Sequence, residues 1–288
     1  MSKYRKASIT DFAYMIHKLL RSDRDVNLGC SGMTGEGKST FTTILQKEYS
    51  RIAGVEWSFN NMTWDRDEMM RWIDGEGESK EGQKPEYTAI LPDELFHMFY
   101  RRNWHDSGQI NSIATFNMCR DRHLFLAGNV PNFWKLDSAF VERIRFYAYV
   151  PRRGVAWVFE QENNPFATDQ WNQDLNRKQF RKEGKPYNCP NFLFEIHFDD
   201  WDSNEKKEYY KIRNEKRVKA LNKQDNAKAT IKQNKDGLAL GAVCNLLCIR
   251  HGYNPRKLER EVLKIRDHRT ITKRINEFQL WYSQSKST

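Results

Sequence analysis

Eight consecutive residues, Gly32-Met33-Thr34-Gly35-Glu36-Gly37-Lys38-Ser39, have the types and spacing to hold a polyphosphate. They match G-x-x-x-x-G-K-[ST] at every fixed position. Gly32, Gly35 and Gly37 permit a tight turn whose N–H groups aim at phosphate oxygens. Lys38 is placed to reach the β- and γ-phosphates of ATP, and the Ser39 hydroxyl to ligate Mg²⁺. Thr40 follows on and completes the binding candidates. A second cluster closes the run Tyr87-Thr88-Ala89-Ile90-Leu91-Pro92-Asp93-Glu94. Asp93 is the other candidate to hold Mg²⁺, and Glu94 the group to orient and activate water. Asn129 ends a third apolar run, Leu124 to Asn129. Arg143 and Arg145 follow soon after, and either suits charge neutralisation at a neighbouring copy's γ-phosphate. Salt bridging on a helix surface is the competing role for both arginines. An arginine supplied in trans implies a homo-oligomer, a ring or another head-to-tail assembly.

These residues need elements to hold them. Val26 to Cys30 reads as a strand and Ser39 to Ser50 as a helix, the setting that a phosphate loop requires. Val55 to Phe59 reads as a second core strand, and Trp64 to Ile73 as a helix capped near Thr63 or Asp65. Gly75 to Pro85 is a polar, Gly-rich loop. Pro92 cannot donate a ladder hydrogen bond, so the strand before Asp93 is irregular or ends there. Glu94 to Asn117 is expected to be helical with a break near Gly108, and Leu136 to Arg145 to hold a short helix. Phe146 to Val150 and Val155 to Phe159 flank Pro151-Arg152-Arg153-Gly154 as a hairpin, and Phe192 to Phe198 is a further strand. Strands alternating with helices around a phosphate loop predict an α/β fold, its largely parallel sheet covered by helices.

The chain has 288 residues, 39% hydrophobic and 30% charged, enough for a core domain and an appendage. No apolar run approaches the roughly 18 residues of a membrane span. The basic N-terminus lacks a signal-peptide apolar region. Five scattered cysteines fit reduced thiols, hence a cytoplasmic setting. Net charge is +10, unevenly spread: residues 203–288 carry 21 Lys and Arg against 9 Asp and Glu, whereas residues 1–202 are at −2. Such a split suggests a nucleic-acid-binding tail; a solvated charged helix is the plainer alternative. The expected organisation is a nucleotide-binding domain over 1–202, a basic helix and linker over 203–237, and a small all-helical domain over 238–288. Helices at 238–251, 254–264 and 268–281 suit a helix-turn-helix with Arg269, Lys273 and Arg274 toward DNA, or a bundle for protein contact. Cys244, Cys248 and His251 invite a zinc site, but two cysteines at i and i+4 in an apolar run fit one buried helix face better.

The segments Gly32 to Ser39, Leu91 to Leu95, Arg101 to Trp104, Cys119 to His123 and Asn132 to Asp137 together resemble the phosphate-loop ATPases with an added strand and a catalytic glutamate. Within these the chain is most similar to the FtsK/HerA-type DNA-pumping branch. The likeness extends to the small packaging and zonula-occludens-toxin-like ATPases of viruses and mobile elements. The segment Asn129 to Arg143 also resembles the sensor and arginine-finger stretch of AAA+ ATPases. The resemblance implies that Asn129 is a sensor bonding the water or the γ-phosphate; as a residue alone it also suits a turn. FtsK and HerA relatives often carry Gln there.

Together these features lead to an expectation of an ATP-hydrolysing motor on duplex DNA, serving genome packaging or mobile-element transfer, with a portal or transfer-complex protein as a further partner. The alternatives are an AAA+-type loader or remodeller, and a DNA-binding adaptor switched by nucleotide. Every nucleotide motif lies upstream of Asp202, so a chain ending there is expected to keep ATP binding.

Overall fold

Val26–Gly32 is buried at every residue, and the sheet is built outward from it. In the computed structural model the described residues are 5–100, 112–115, 120–163, 169–219, 242–250, 275–276 and 278–279. The chain divides into two compact units, Met1–Arg217 and Val218–Thr288. The boundary thus falls beyond the Asp202 expected from the charge pattern, and the basic helix from residue 203 belongs mostly to the first unit.

In that unit the elements run β1 (Lys6–Ala7), α1 (Ile9–Arg21), β2 (Val26–Gly32), α2 (Lys38–Ala53), β3 (Met62–Thr63), α3 (Arg66–Asp74), β4 (Ala89–Pro92), β5 (Phe125–Asn129), β6 (Phe146–Arg152), β7 (Val155–Glu160), α4 (Gln173–Glu183) and β8 (Phe192–His197). The last helix, α5, covers 203–219. The eight strands form one sheet in the order β1-β8-β7-β6-β2-β5-β4-β3. All pairings are parallel except β6 with β7 and β7 with β8. β5 therefore lies between the strand that enters the glycine loop and the strand that ends at Asp93.

Alternate residues of the strands feed two cores, as a period of two requires. Ala89, Phe125 and Ala127 face a cluster with Phe12, Ile16, Phe41, Leu45 and Tyr49 from α1 and α2. Ile90 and Leu126 face the opposite cluster, with Met69, Trp72, Leu95, Phe133 and Ile144. No helix was expected over Ile9–Arg21, although Phe12, Ala13, Ile16 and Leu20 have the helical spacing that buries one face. The helix begins at a reciprocal cap, in which Asp11 N donates to Ser8 Oγ and Ser8 N to Asp11 Oδ2. α1 is tied to α2 by Thr10 Oγ1 donating to Glu48 Oε1 at 2.7 Å.

Two glycines decide how closely the second face closes. Gly29 and Gly128 are register partners in β2 and β5. A Cβ on Gly29 would sit 2.6 Å from Phe133 Cε2, and one on Gly128 only 2.2 Å from Leu95 Cδ1. The bare backbone of Gly29 admits Phe133, and that of Gly128 admits Leu95, which immediately follows the Asp93-Glu94 pair.

The strand expected over Val55 to Phe59 does not form. Asn60 N donates to Ser58 Oγ and turns the chain into a short helical turn, Phe59–Asn61. The edge strand is instead Met62–Thr63, paired with β4. β4 does stop at Pro92. Of the helix expected over Glu94 to Asn117, Leu95–Met98 and residues 112–115 are helical, and Gly108 lies outside the described residues. The helix expected over Leu136 to Arg145 shrinks to Ser138–Val141, capped by Asp137.

In the second unit residues 242–250 are helical, ending in the wider turn Leu246–Arg250. Cys244 and Ile275 are buried there, with Leu247 and Cys248 against them. His251, Arg269, Lys273 and Arg274 lie outside the described residues. Among the described residues no helix is long and apolar enough to cross a membrane.

Gly128→Ala should cost about 2 kcal/mol through overpacking against Leu95. In a unit of this size that lowers the thermal midpoint by roughly 4–8 °C. Melting followed by circular dichroism checks this, and an unchanged midpoint would show that Leu95 is free to give way.

Candidate nucleotide-binding site

The turn after β2 is one that only glycines make readily. Gly32, Gly35 and Gly37 have φ of +152°, +89° and +96°. A Cβ on Gly32 would lie 2.5 Å from the Val150 carbonyl oxygen. Gly37 also caps α2 without a side chain, so no side chain satisfies the first-turn amides of Lys38, Ser39 and Thr40. Those residues line a cleft of about 190 Å³ with Thr34, Gly35 and Asp93. A helix N-terminus with bare amides and a glycine cradle favours an anion. Lys38 Nζ curls back to donate to the carbonyls of Gly32 (2.8 Å) and Met33 (2.9 Å).

Asp93 follows directly on β4 and is only 3% exposed. Its Oδ1 accepts from Ser39 Oγ at 3.1 Å and from Asn129 Nδ2 at 2.6 Å. Asn129 Oδ1 in turn accepts from Thr42 Oγ1 at 3.2 Å. The ends of β4 and β5 and the first turn of α2 thus share one polar network. The hydroxyl and carboxylate oxygens of Ser39 and Asp93 are the hard donors that Mg²⁺ prefers, so this corner fits the cation. Asn129, expected to bond water or phosphate, directs its amide nitrogen to Asp93 and Ser39.

Glu94 lines the same cleft and is partly buried. Its φ of +150° with ψ of 58° is a strained backbone for a residue with a side chain. Such strain persists where surrounding structure enforces it, and it gathers at functional corners. Beneath the loop, burial pushes the Cys30 thiol up to about 12, Lys38 pulling it down and Asp93 pushing it further up. Burial thus favours the neutral thiol at Cys30.

The two arginines differ. Arg145 pairs with Glu160 Oε1 at 2.7 Å and stands over the Phe146 ring. Arg143 is exposed and borders a separate open cavity with Glu142 and Asp169. Neither lines the cleft at the glycine loop.

Three residues at the cleft were missed in the sequence. Arg153, at the β6–β7 hairpin tip, donates from Nη2 to Gly35 O and from its backbone N to Glu36 Oε2, each at 3.2 Å. Tyr209 and Arg213, one turn apart on α5, both reach Asp93. Tyr209 Oη donates to Asp93 Oδ2 at 2.8 Å, and Arg213 Nε lies 3.7 Å from the same oxygen. The i, i+4 spacing of Tyr209 and Arg213 was visible, but nothing local pointed to a partner 116 residues away.

No family model matches the chain, and no curated protein matches it. Solved structures overlap parts of it. The genome packaging NTPase B204 from Sulfolobus turreted icosahedral virus 2 aligns at TM-score 0.36 and 7% identity, over 48% of this chain and 92% of that one. PCH-2 from C. elegans aligns at TM-score 0.33 and 12% identity, over 50% of this chain and 42% of that one. The FIGL-1 AAA domain aligns at TM-score 0.32 and 15% identity, over 47% and 48% of the two chains. This chain thus spans less than half the length of PCH-2. The fold is α/β, with a mostly parallel eight-stranded sheet covered by helices. Residue roles rest on the side-chain geometry described above.

Lys38→Ala should weaken ATP binding about 100-fold or more, through lost charge-assisted hydrogen bonds. Asn129→Ala should leave binding without magnesium unchanged and reduce the gain from magnesium about tenfold, because Asp93 loses its 2.6 Å donor. Titration of a fluorescent ATP analogue with Mg²⁺ or with EDTA separates the two. An equal loss in both buffers for Asn129→Ala would place its effect on the loop rather than on Asp93.

Proposed function

We propose that this protein is an ATP-hydrolysing motor acting on duplex DNA, of the additional-strand class with a catalytic glutamate. The observation that carries this is the corner at Asp93 and Glu94. It closes β4, is separated from the loop strand β2 by the inserted strand β5, and opens into the cleft of the glycine loop.

In this function the loop amides and Lys38 bind the triphosphate and orient its terminal phosphate. Ser39 and Asp93 would hold Mg²⁺, which when bound draws negative charge from the phosphate oxygens. Glu94 orients the attacking water and accepts its proton as the water oxygen bonds to the γ-phosphorus. ADP leaves with the electron pair of the broken bond. Arg153 braces Gly35 and Glu36 and so keeps the loop in register. Arg145 is already committed to Glu160, whereas Arg143 is exposed, so Arg143 is the better candidate to act in trans in a ring.

DNA contact is assigned to the second unit. Residues 218–288 carry 15 Lys and Arg against 6 Asp and Glu, a surplus of +9. Residues 203–217 hold six more basic side chains, but several of them are spent within the first unit. Lys206 pairs with Asp200, Arg213 with Asp93 and Lys216 with Glu68. A chain cut near Asp202 would also lose Tyr209 and Arg213, which contact Asp93, so a cut at Arg217 separates the tail from the nucleotide site more cleanly.

An AAA+-type remodeller and a nucleotide-switched adaptor share the same cleft; ATP-driven movement along duplex DNA belongs to the motor alone. Glu94→Gln should bind ATP normally and turn over about 100-fold more slowly, as measured by phosphate release. Arg143→Ala should also bind ATP and turn over slowly, and mixing it with Glu94→Gln should restore part of the activity through mixed interfaces. Absence of rescue removes the trans role. A chain ending at Arg217 should keep ATP affinity and lose most duplex affinity, while the full chain binds DNA with a steep salt dependence. Equal affinity and salt slope in the two proteins would put the DNA contacts in the first unit.

A further inference from the structure

The Asp93 carboxylate offers about four acceptor positions. Ser39 and Asn129 take the Oδ1 side, at 3.1 and 2.6 Å. Tyr209 takes Oδ2 at 2.8 Å, with Arg213 Nε 3.7 Å away on the same side. Three of the four positions are thus filled by hydrogen bonds and Arg213 stands beside the fourth, so a cation at Asp93, or a water bound to it, must either replace a donor or crowd the guanidinium. The Oδ1 donors are built into the sheet edge and the first turn of α2, and Asn129 is itself held by Thr42. The Oδ2 donors come from α5. That helix is attached by polar links at its surface: Lys47 with Glu205, Lys206 with Asp200, and Lys216 Nζ donating to Met62 O.

Charge points the same way. A divalent cation and the Arg213 guanidinium repel each other at one carboxylate, while a triphosphate in the cleft that Arg213 lines attracts it. Arg213 Nε is buried without a hydrogen-bond partner, so it gains from a new acceptor. Tyr209 is 2% exposed, with Trp201 at 4.7 Å and Phe59 at 5.9 Å between ring centroids.

We infer that α5 is a latch on the nucleotide site: Tyr209 and Arg213 hold Asp93 until a magnesium nucleotide displaces them, which loosens the helix. Both are positioning residues that act through Asp93. The inference rests on the nucleotide-binding role proposed above and adds a regulatory one. It makes the segment leading out of the first unit responsive to what the cleft holds.

The test uses the full chain, with ATPγS as probe, in Mg²⁺ and in EDTA. Hydrogen exchange followed by mass spectrometry should show amides in 203–217 exchanging about tenfold faster with Mg²⁺ and ATPγS than without ligand, and little change in EDTA. Tyr209→Phe keeps the ring and removes the hydroxyl. It should bind Mg²⁺–ATPγS about tenfold more tightly, bind ATPγS in EDTA as the parent does, and show faster exchange in 203–217 before any ligand is added. Slower or unchanged exchange in the parent on adding Mg²⁺–ATPγS overturns the latch. So does equal or weaker Mg²⁺–ATPγS binding by Tyr209→Phe. If the parent and Lys38→Ala both fail to bind ATPγS, the nucleotide role itself falls and the latch falls with it.

Discussion

One buried carboxylate organises the working end of this protein. Asp93 sits where β4 stops, and the chain brings three hydrogen-bond donors and one guanidinium to it from α2, β5 and α5. At 3% exposure its charge is largely withdrawn from solvent, so those donors are a condition of its burial. The sheet order follows from the same need. With β5 between β2 and β4, the polar end of β5 delivers Asn129 between the loop helix and Asp93. A strand order that put β4 directly beside β2 would leave no element in that gap.

Close packing sets the geometry that the carboxylate exploits. Gly29 and Gly128, paired across β2 and β5, let Phe133 and Leu95 approach the sheet to distances that any Cβ would forbid. Leu95 is the anchor of the turn that carries Glu94, so a packing choice on the apolar face determines where the acidic pair projects. The strained backbone at Glu94 is held by this anchor on one side and by the buried Asp93 on the other.

Charge in the last third of the chain does two separate jobs. Up to Arg217 it docks α5 through ion pairs with Asp200, Asp93 and Glu68, and Lys216 also stands over the Trp72 ring. These links are partly exposed, and each contributes little by itself. Their sum acts together with the buried Tyr209 ring, packed against Trp201 and Phe59, to hold the helix. Beyond Arg217 the chain carries 15 Lys and Arg against 6 Asp and Glu, the surplus on which the proposed DNA contact rests.

The sequence by itself determined the elements whose signals are local. The glycine spacing and Lys38-Ser39 specified the loop, the apolar runs marked β2, β4 and β5, Pro92 limited β4 to an irregular or ending strand, and the start of α3 was narrowed to Thr63 or Asp65, of which Asp65 is the cap. Those features depend on neighbours within a few residues, where steric and capping rules act directly. Tertiary structure alone decided which residues meet. It placed Asn129 on Asp93 instead of leaving it in a turn, committed Arg145 to Glu160, and set Arg153 against the loop. It also brought Tyr209 and Arg213 across 116 and 120 positions to a carboxylate whose need for donors no local pattern records. Pairings of that kind arise from sheet order and helix docking, where the free energy is shared among many side chains, and a sequence carries them only as a whole.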